Sequence, residues 1–224
     1  MPQFLRSALA LVLLATLVAS PATAGRTADV PRLGADPSLT VAIAPAADQK
    51  GIFVDVRTVI DAPLAVVERI VRDIDAYPDW IPGMTTARTH GAAVDTSFAA
   101  GGSVVFVTTV RLPWPLRDVR EELRMRRADS TDGVDGVEYA WRQIRGDLRR
   151  NEGRWVLLPR GATQTEVRYQ ATFQLRSWIP MFLIRIAEQR QAPKLMGNLR
   201  ARVAAFGASA REVARPPGSS PSTK

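Results

Sequence analysis

Gly153-Arg154-Trp155-Val156-Leu157-Leu158-Pro159, a turn at Arg160-Gly161-Ala162, then Thr163-Gln164-Thr165-Glu166-Val167-Arg168-Tyr169-Gln170-Ala171-Thr172-Phe173-Gln174-Leu175 and Ile179-Pro180 decide how this chain folds. From Thr165 to Leu175 every second residue is apolar or aromatic, with Thr165 leading, while Glu166, Arg168, Gln170, Thr172 and Gln174 fall between them. Side chains alternate across a strand, so this is a strand with one wet and one apolar face. The period then changes. From Pro180 to about Ala208, Phe182 and Ile186, then Leu195, Leu199, Val203 and Phe206, form a helical stripe, and Pro193 is expected to kink or split the helix.

Working toward the N-terminus, strand-like stretches recur at 153–158, 136–145, 117–127, 102–112 and 85–91, with Pro113 and Pro115 marking an edge or bend because each removes a ladder donor. Before them, Asp61-Ala62-Pro63 offers a cap and an early-turn proline. Leu64, Val67, Ile70, Val71 and Ile74 then predict an amphipathic helix over 62–75. It should stop at Asp75-Ala76-Tyr77-Pro78-Asp79-Trp80-Ile81-Pro82-Gly83. Ser38–Ala44 and Gly51–Ile60 read as two antiparallel strands. The order β-β-α, a run of antiparallel strands and a long terminal helix predicts an α+β fold, a curved sheet wrapped around one helix.

The ends read differently. Arg6, the apolar run Ala8–Ala19 and Ser20-Pro21-Ala22-Thr23-Ala24 form a secretory signal peptide over 1–24, its run too short for the roughly 20 residues a membrane-spanning helix needs. Residues 25–37 read as a flexible leader, 38–210 as one domain and 211–224 as a disordered tail. Export to a bacterial periplasm is the expectation, with the extracellular space as the alternative. Losing Arg6 would take the net charge from +8 to +7, and nearly all the positive charge is arginine, with only Lys50, Lys194 and Lys224 besides. Such a balance suits an anionic membrane surface, while an arginine-rich codon bias would yield the same composition. Export and the scatter of basic residues argue against nucleic acid as a partner.

Composition also limits the chemistry. The chain has no cysteine, which excludes disulfides, thiolate metal sites and a nucleophilic thiol. His90 is the single histidine, and no Gly-x-Ser-x-Gly elbow accompanies it to build a triad. Asp73/Asp75 and Glu121/Glu122 are too badly oriented to work as an acid–base pair on one atom. No metal-ligand spacing, phosphate loop or dinucleotide fingerprint is present, so no catalytic residue, metal or cofactor is assigned.

Three blocks together resemble the START-like lipid-binding domains of the helix-grip (SRPBCC) superfamily: Ile52–Met84 with its Tyr77-Pro78-Asp79-Trp80-Ile81-Pro82 segment, Pro113-Trp114-Pro115-Leu116-Arg117-Asp118, and Gly153–Pro159 followed by Thr165-Glu166-Val167-Arg168-Tyr169 and Ile179-Pro180. Val119-Arg120-Glu121 stands where the family usually continues Arg-Asp, and Gln174-Leu175-Arg176-Ser177-Trp178 stands where eukaryotic members carry Asp-Pro-Gly-Gly. The resemblance implies a hollow between the curved sheet and the terminal helix, holding one hydrophobic molecule such as a sterol, phospholipid or isoprenoid.

On that reading the cavity residues are Phe106, Thr108, Glu121, Leu123, Trp141, Gln143, Tyr169, Phe173, Trp178, Met181, Phe182, Ile186 and Met196. Glu121 is the odd one out, a carboxylate on the face of Val119, Leu123 and Met125. It should either be buried with a partner such as Arg142, Arg111 or Arg124, or lie exposed at a twisted edge. Tyr169 and Thr108 supply hydroxyls that either hold a ligand or satisfy the backbone, and Trp155 is expected in the core. Leu148, Arg149, Arg150, Arg176 and Arg185 form a membrane-facing rim, the first three on a mouth loop over 145–151. Three functions fit: a monomeric, non-enzymatic lipid carrier or sensor that meets the membrane transiently; a cyclase, aromatase or hydrolase using Glu121 with Tyr169; or a partner-binding envelope protein with a closed core.

Overall fold

The computed structural model describes residues 38–48, 50–91, 98, 102–112, 117–129, 136–176 and 181–213, with the side chains of 181–188 and 209–213 outside that set. All of these fall within the compact unit Leu33–Lys224. The expected signal peptide and leader, the Pro113/Pro115 segment with Trp114, and Trp178 lie outside the described residues.

Among the described residues, eight strands form one antiparallel sheet: β1 (Thr40–Pro45), β2 (Ile52–Ile60), β3 (Met84–His90), β4 (Ser103–Val110), β5 (Val119–Asp129), β6 (Val137–Gly146), β7 (Leu148–Arg160) and β8 (Gln164–Leu175). Their spatial order is β1-β2-β8-β7-β6-β5-β4-β3. The last strand thus inserts between β2 and β7, while its clean alternation sets which of its side chains face inward. Its inner face carries Val167, Tyr169, Ala171 and Phe173, set against Thr58, Val56, Val54 and Ile52 of β2 in register.

Helix α1 (Leu64–Arg72) buries Val67, Ile70 and Val71 as the stripe predicts. Its start differs from expectation. Pro63, not Asp61, occupies the N-cap position, and no side chain caps it. The Asp61 carboxylate instead accepts a 2.7 Å bond from the Gln164 amide, while Thr165 donates its hydroxyl to the Ala62 carbonyl at 2.8 Å. Both ties lock β8 to the β2–α1 corner.

The segment expected to be irregular forms a 3-10 turn over Ile74–Ala76 and a single turn of helix, α2 (Tyr77–Trp80). Pro78 suits the first turn of α2, where its missing N–H has no intrahelical partner to lose. Tyr77 donates its hydroxyl to the Val71 carbonyl at 2.6 Å, and burial pushes its pKa far up.

Helix α3 (Met181–Val213) runs through Pro193 without dividing and continues three residues into the stretch expected to be a tail. Ala192, Leu195, Met196, Leu199 and Val203 are buried against the sheet and α1. Polar clamps hold that half of the helix. Arg200 donates to Ser38, Thr58 and, at 3.0 Å, the Val59 carbonyl; Asn198 donates to the Trp80 carbonyl at 2.8 Å; and Arg69 lies 4.8 Å over the Phe206 ring.

Candidate functional site

The inner face of the sheet gathers most of the residues picked out from sequence. Phe106, Thr108, Glu121, Leu123 and Trp141 are buried there, joined by Met196 from α3, and Gln143, Tyr169 and Phe173 are partly buried. Met181, Phe182, Arg185 and Ile186 place their backbones in α3, but their side chains, like all of Trp178, lie outside the described residues. His90 is exposed at the end of β3.

Rings form a continuous chain across this face. Phe106 meets Tyr77 at 6.4 Å, Tyr77 meets Trp80 at 5.3 Å, Trp80 meets Trp155 at 5.9 Å, Trp155 meets Tyr169 at 4.6 Å and Tyr169 stacks on Trp141 at 5.5 Å. Most pairs are edge-on or tilted, as ring quadrupoles favour. Trp141 covers Gly153, its cross-strand partner, and donates its indole N–H to Asn151 at 3.1 Å. Asn151 escaped sequence reading because it sits in the charged run Arg149-Arg150-Asn151-Glu152.

At the end of the sheet where β8 leaves toward α3, the face turns polar. Glu121 is only 1% exposed, so of the two readings the buried one holds. Its partners differ from those expected. Oε1 accepts from the Leu148 N–H at 2.8 Å; Arg142 and Arg111 are exposed, and Arg124 occupies the opposite face, paired in register with Arg142. Gly146 makes room for the carboxylate, since a Cβ there would lie 2.7 Å from Glu121 Cδ. Burial raises the Glu121 pKa, the Leu148 and Asp147 N–H groups pull it back, the Asp147 charge adds to the rise and Arg176 opposes it. Gln143 donates to the Leu148 carbonyl at 2.9 Å, and Arg176 donates to the same oxygen at 3.2 Å.

A carboxyl whose pKa is raised by folding binds its proton more tightly in the folded state, so stability falls as pH rises through the folded pKa. Glu121→Gln keeps an acceptor for Leu148 and removes that penalty. The variant should therefore gain in urea midpoint over the parent at pH 8, with the gap narrowing toward about pH 3, below the ordinary carboxylate range, where the carboxyl is protonated folded or unfolded. A gap that stays the same at both pH values would contradict this assignment.

Two expectations fail on register. Tyr169 lies in the row of Trp155, Tyr139 and Arg127, and Glu121 is six residues from Arg127, about 20 Å along the strand at about 3.3 Å per residue. Glu121 and Tyr169 cannot serve one reacting atom. The mouth loop over 145–151 is also corrected: β6 and β7 run to Gly146 and from Leu148, with Asp147 alone between them. Leu148 is 7% exposed and faces Leu175 inside, so it is no rim residue. Arg149 and Arg176 are exposed and Arg150 is partly so, ion-paired to Asp48 at 3.3 Å and to Glu152.

Among the described residues, the large apolar side chain exposed at this end is Ile144, at 44%. It is the extra residue of a bulge, because Glu122 pairs with Arg145 and Leu123 with Gln143. Sequence held the signal: Ile144 is the large apolar exception on the face of Glu138 and Arg142 in 136–145, the mirror of Glu121. A separate groove of about 380 Å³ opens on the outer face between Phe53, Arg142, Glu152 and Thr172, and of the expected cavity residues only Trp141 borders it.

Comparison with known proteins agrees with this architecture. No curated protein matches the sequence. Among solved structures, the STAR-related lipid transfer protein of Xanthomonas axonopodis superposes with a TM-score of 0.64 at 14% identity, covering 77% of this chain and 97% of that one. Human STARD10 gives 0.64 at 12% identity over 80% and 74%, and the Zhui aromatase/cyclase of Streptomyces sp. R1128 gives 0.51 at 14% over 68% and 93%. At such identities the likeness is one of fold, a START-like helix-grip domain. A family model described as polyketide cyclase / dehydrase and lipid transport matches residues 60–200, well over half the sequence, and the chain belongs to that family.

Proposed function

We propose that this is an exported, non-enzymatic protein that binds one hydrophobic molecule, a lipid, sterol-like or isoprenoid compound, and acts as a carrier or sensor at the cell envelope, with the periplasm as its compartment. The observation that carries this reading is the inner face itself. A band of rings from Phe106 to Trp141 lies beside the polar set Glu121, Gln143 and Leu148, so an apolar body and one polar end are provided for on the same surface. Affinity would come from burying ligand surface, at about 25 cal/mol per Å². The names of the lipid-transfer neighbours fit this reading. The test is native mass spectrometry of the protein purified from the cells that make it, with extraction and identification of bound compounds. A stoichiometric lipid supports it, and a clean apo mass that persists after incubation with total lipid extract overturns it.

Membrane contact belongs to the same proposal. Ile144 stands exposed among Arg142, Arg145 and Arg149, all exposed themselves, a composition suited to an anionic headgroup layer with one apolar side chain inserted. Losing about 1.5 kcal/mol of Ile burial corresponds to roughly a tenfold change. Ile144→Asp should weaken co-sedimentation with phosphatidylglycerol vesicles by about that factor. Unchanged binding would remove Ile144 from the docking surface.

A further inference from the structure

The outer face of the sheet carries more arginine than its carboxylates answer. Arg124 on β5 lies directly opposite Arg142 on β6, and Arg126, next on the same face of β5, lies opposite Ala140. Cβ atoms of directly opposed residues are about 5 Å apart and those of diagonal neighbours about 7–8 Å, so the three arginines form one cluster beside Ala140. Carboxylates share this face, and each is taken by another arginine: Glu122 accepts from Arg145, Glu138 from Arg154 at 3.3 Å, and Glu152 from Arg150. Among the described residues, Arg124, Arg126 and Arg142 have no ion-pair partner. Arg126 and Arg142 are exposed, while Arg124 is half-buried and its Nε is buried without a hydrogen-bond partner. Like charges set opposite each other weaken a strand pair, and buried polar atoms are nearly always bonded. An anion between these side chains removes both costs.

The neighbouring groove supplies room for whatever carries the anion. Ala140 and Arg142 line it from β6, Gln170 and Thr172 from β8 and Phe53 from β2, around a volume of about 380 Å³. Arg142 belongs to both features, so cluster and groove are continuous.

We propose that Arg124, Arg126 and Arg142 bind a phosphate monoester of a soluble organic molecule, whose organic part lies in the groove beside them. The count of charges selects the group. A monoester carries about 1.5 to 2 negative charges near pH 7 and three strong acceptor oxygens, one for each guanidinium, whereas a carboxylate or a phosphodiester brings a single charge. Guanidinium suits the role because its planar fork donates paired N–H bonds to phosphate oxygens. The cluster faces away from the ring-lined inner surface, so the site stands whether or not a hydrophobic molecule binds there.

Phenyl phosphate, benzoate and inorganic phosphate, titrated calorimetrically into the full chain at low ionic strength, separate the outcomes. Phenyl phosphate should bind about tenfold more tightly than benzoate, which has one charge, and about threefold more tightly than inorganic phosphate, which puts nothing in the groove. Arg124→Gln and Arg142→Gln should each weaken it by about tenfold or more. Arg160→Gln removes the same charge at the far end of β7, where Glu166 keeps Arg168 as its partner, and should leave the affinity within about twofold. Without ligand, Arg142→Gln should melt no lower than the parent, since it relieves a like-charge contact, which separates lost binding from lost folding. Benzoate or inorganic phosphate binding as tightly as phenyl phosphate overturns the proposal, as does an Arg160→Gln loss equal to that of Arg142→Gln, which would be attraction to net charge alone. If the parent binds no phenyl phosphate the proposal also fails. Phosphatidylcholine vesicles carrying phosphatidic acid, held by the parent and released by Arg124→Gln, would then assign these arginines to a lipid headgroup instead.

Discussion

A Met196→Trp chain is expected to fold and to take up no lipid. Met196 is 1% exposed on the sheet-facing stripe of α3, in the half of the helix held by Asn198 and Arg200. That clamping matters, since the helix cannot rotate to carry the larger ring out to solvent without breaking the bonds to the Trp80 and Val59 carbonyls. An indole in place of a flexible thioether must therefore occupy space on the inner side. Overpacking costs about 1–3 kcal/mol, a tolerable share of the 5–15 kcal/mol typical of a domain, so the far-ultraviolet circular dichroism should be retained. Binding of the extracted lipid should fall below detection. Undiminished uptake by a folded variant would place the ligand elsewhere than between α3 and the sheet.

Gly153→Ala is expected to be severely destabilising for a single added methyl group. A Cβ at this position would come within 2.5 Å of the Trp141 ring and closer still to the Gln170 carbonyl. Backbone cannot yield without breaking the β7–β8 ladder, where Gly153 pairs with Ala171. Trp141 cannot yield without leaving both Tyr169, on which it stacks, and Asn151, to which it donates. Strain of this kind, with a lost ring contact and a lost buried hydrogen bond, amounts to about 3 kcal/mol or more. For a chain of this size that lowers the melting midpoint by roughly 6–12 °C. Calorimetry of the two proteins checks it, and a shift under 2 °C would mean that the sheet gives way here at little cost. Trp141→Ala combined with Gly153→Ala should then cost less than the sum of the single changes, because the alanine methyl would meet no ring.

Much of this arrangement could be read in the chain before folding. Alternation over 165–175 identified β8 and its inner residues, and the stripe Leu195, Leu199, Val203, Phe206 identified the buried side of α3. The misplaced carboxylate Glu121 was legible for the same reason: period two assigns a face whatever the residue is. Ile144 could have been found by the identical argument applied to the wet face. What failed were statements about ends. The first residues of β7 are a mouth loop on the family resemblance alone, and the register shift between Leu148 and Arg150 that makes them a strand depends on the partner strand. Asp61 was read as a cap because the local pattern suits one, but Gln164, 103 residues away, competes for its carboxylate.

By itself, then, the sequence determined the alternating face of a strand such as β8, the α+β order and the family, since each depends on local period or on motifs in line. Tertiary structure alone decided who meets whom. It gave Glu121 a backbone N–H in place of an arginine and held Tyr169 about 20 Å along the strands from it. The physical reason is that a side chain's face follows from its own strand, whereas its partner follows from the register of neighbouring strands, and a single bulged residue such as Ile144 resets that register.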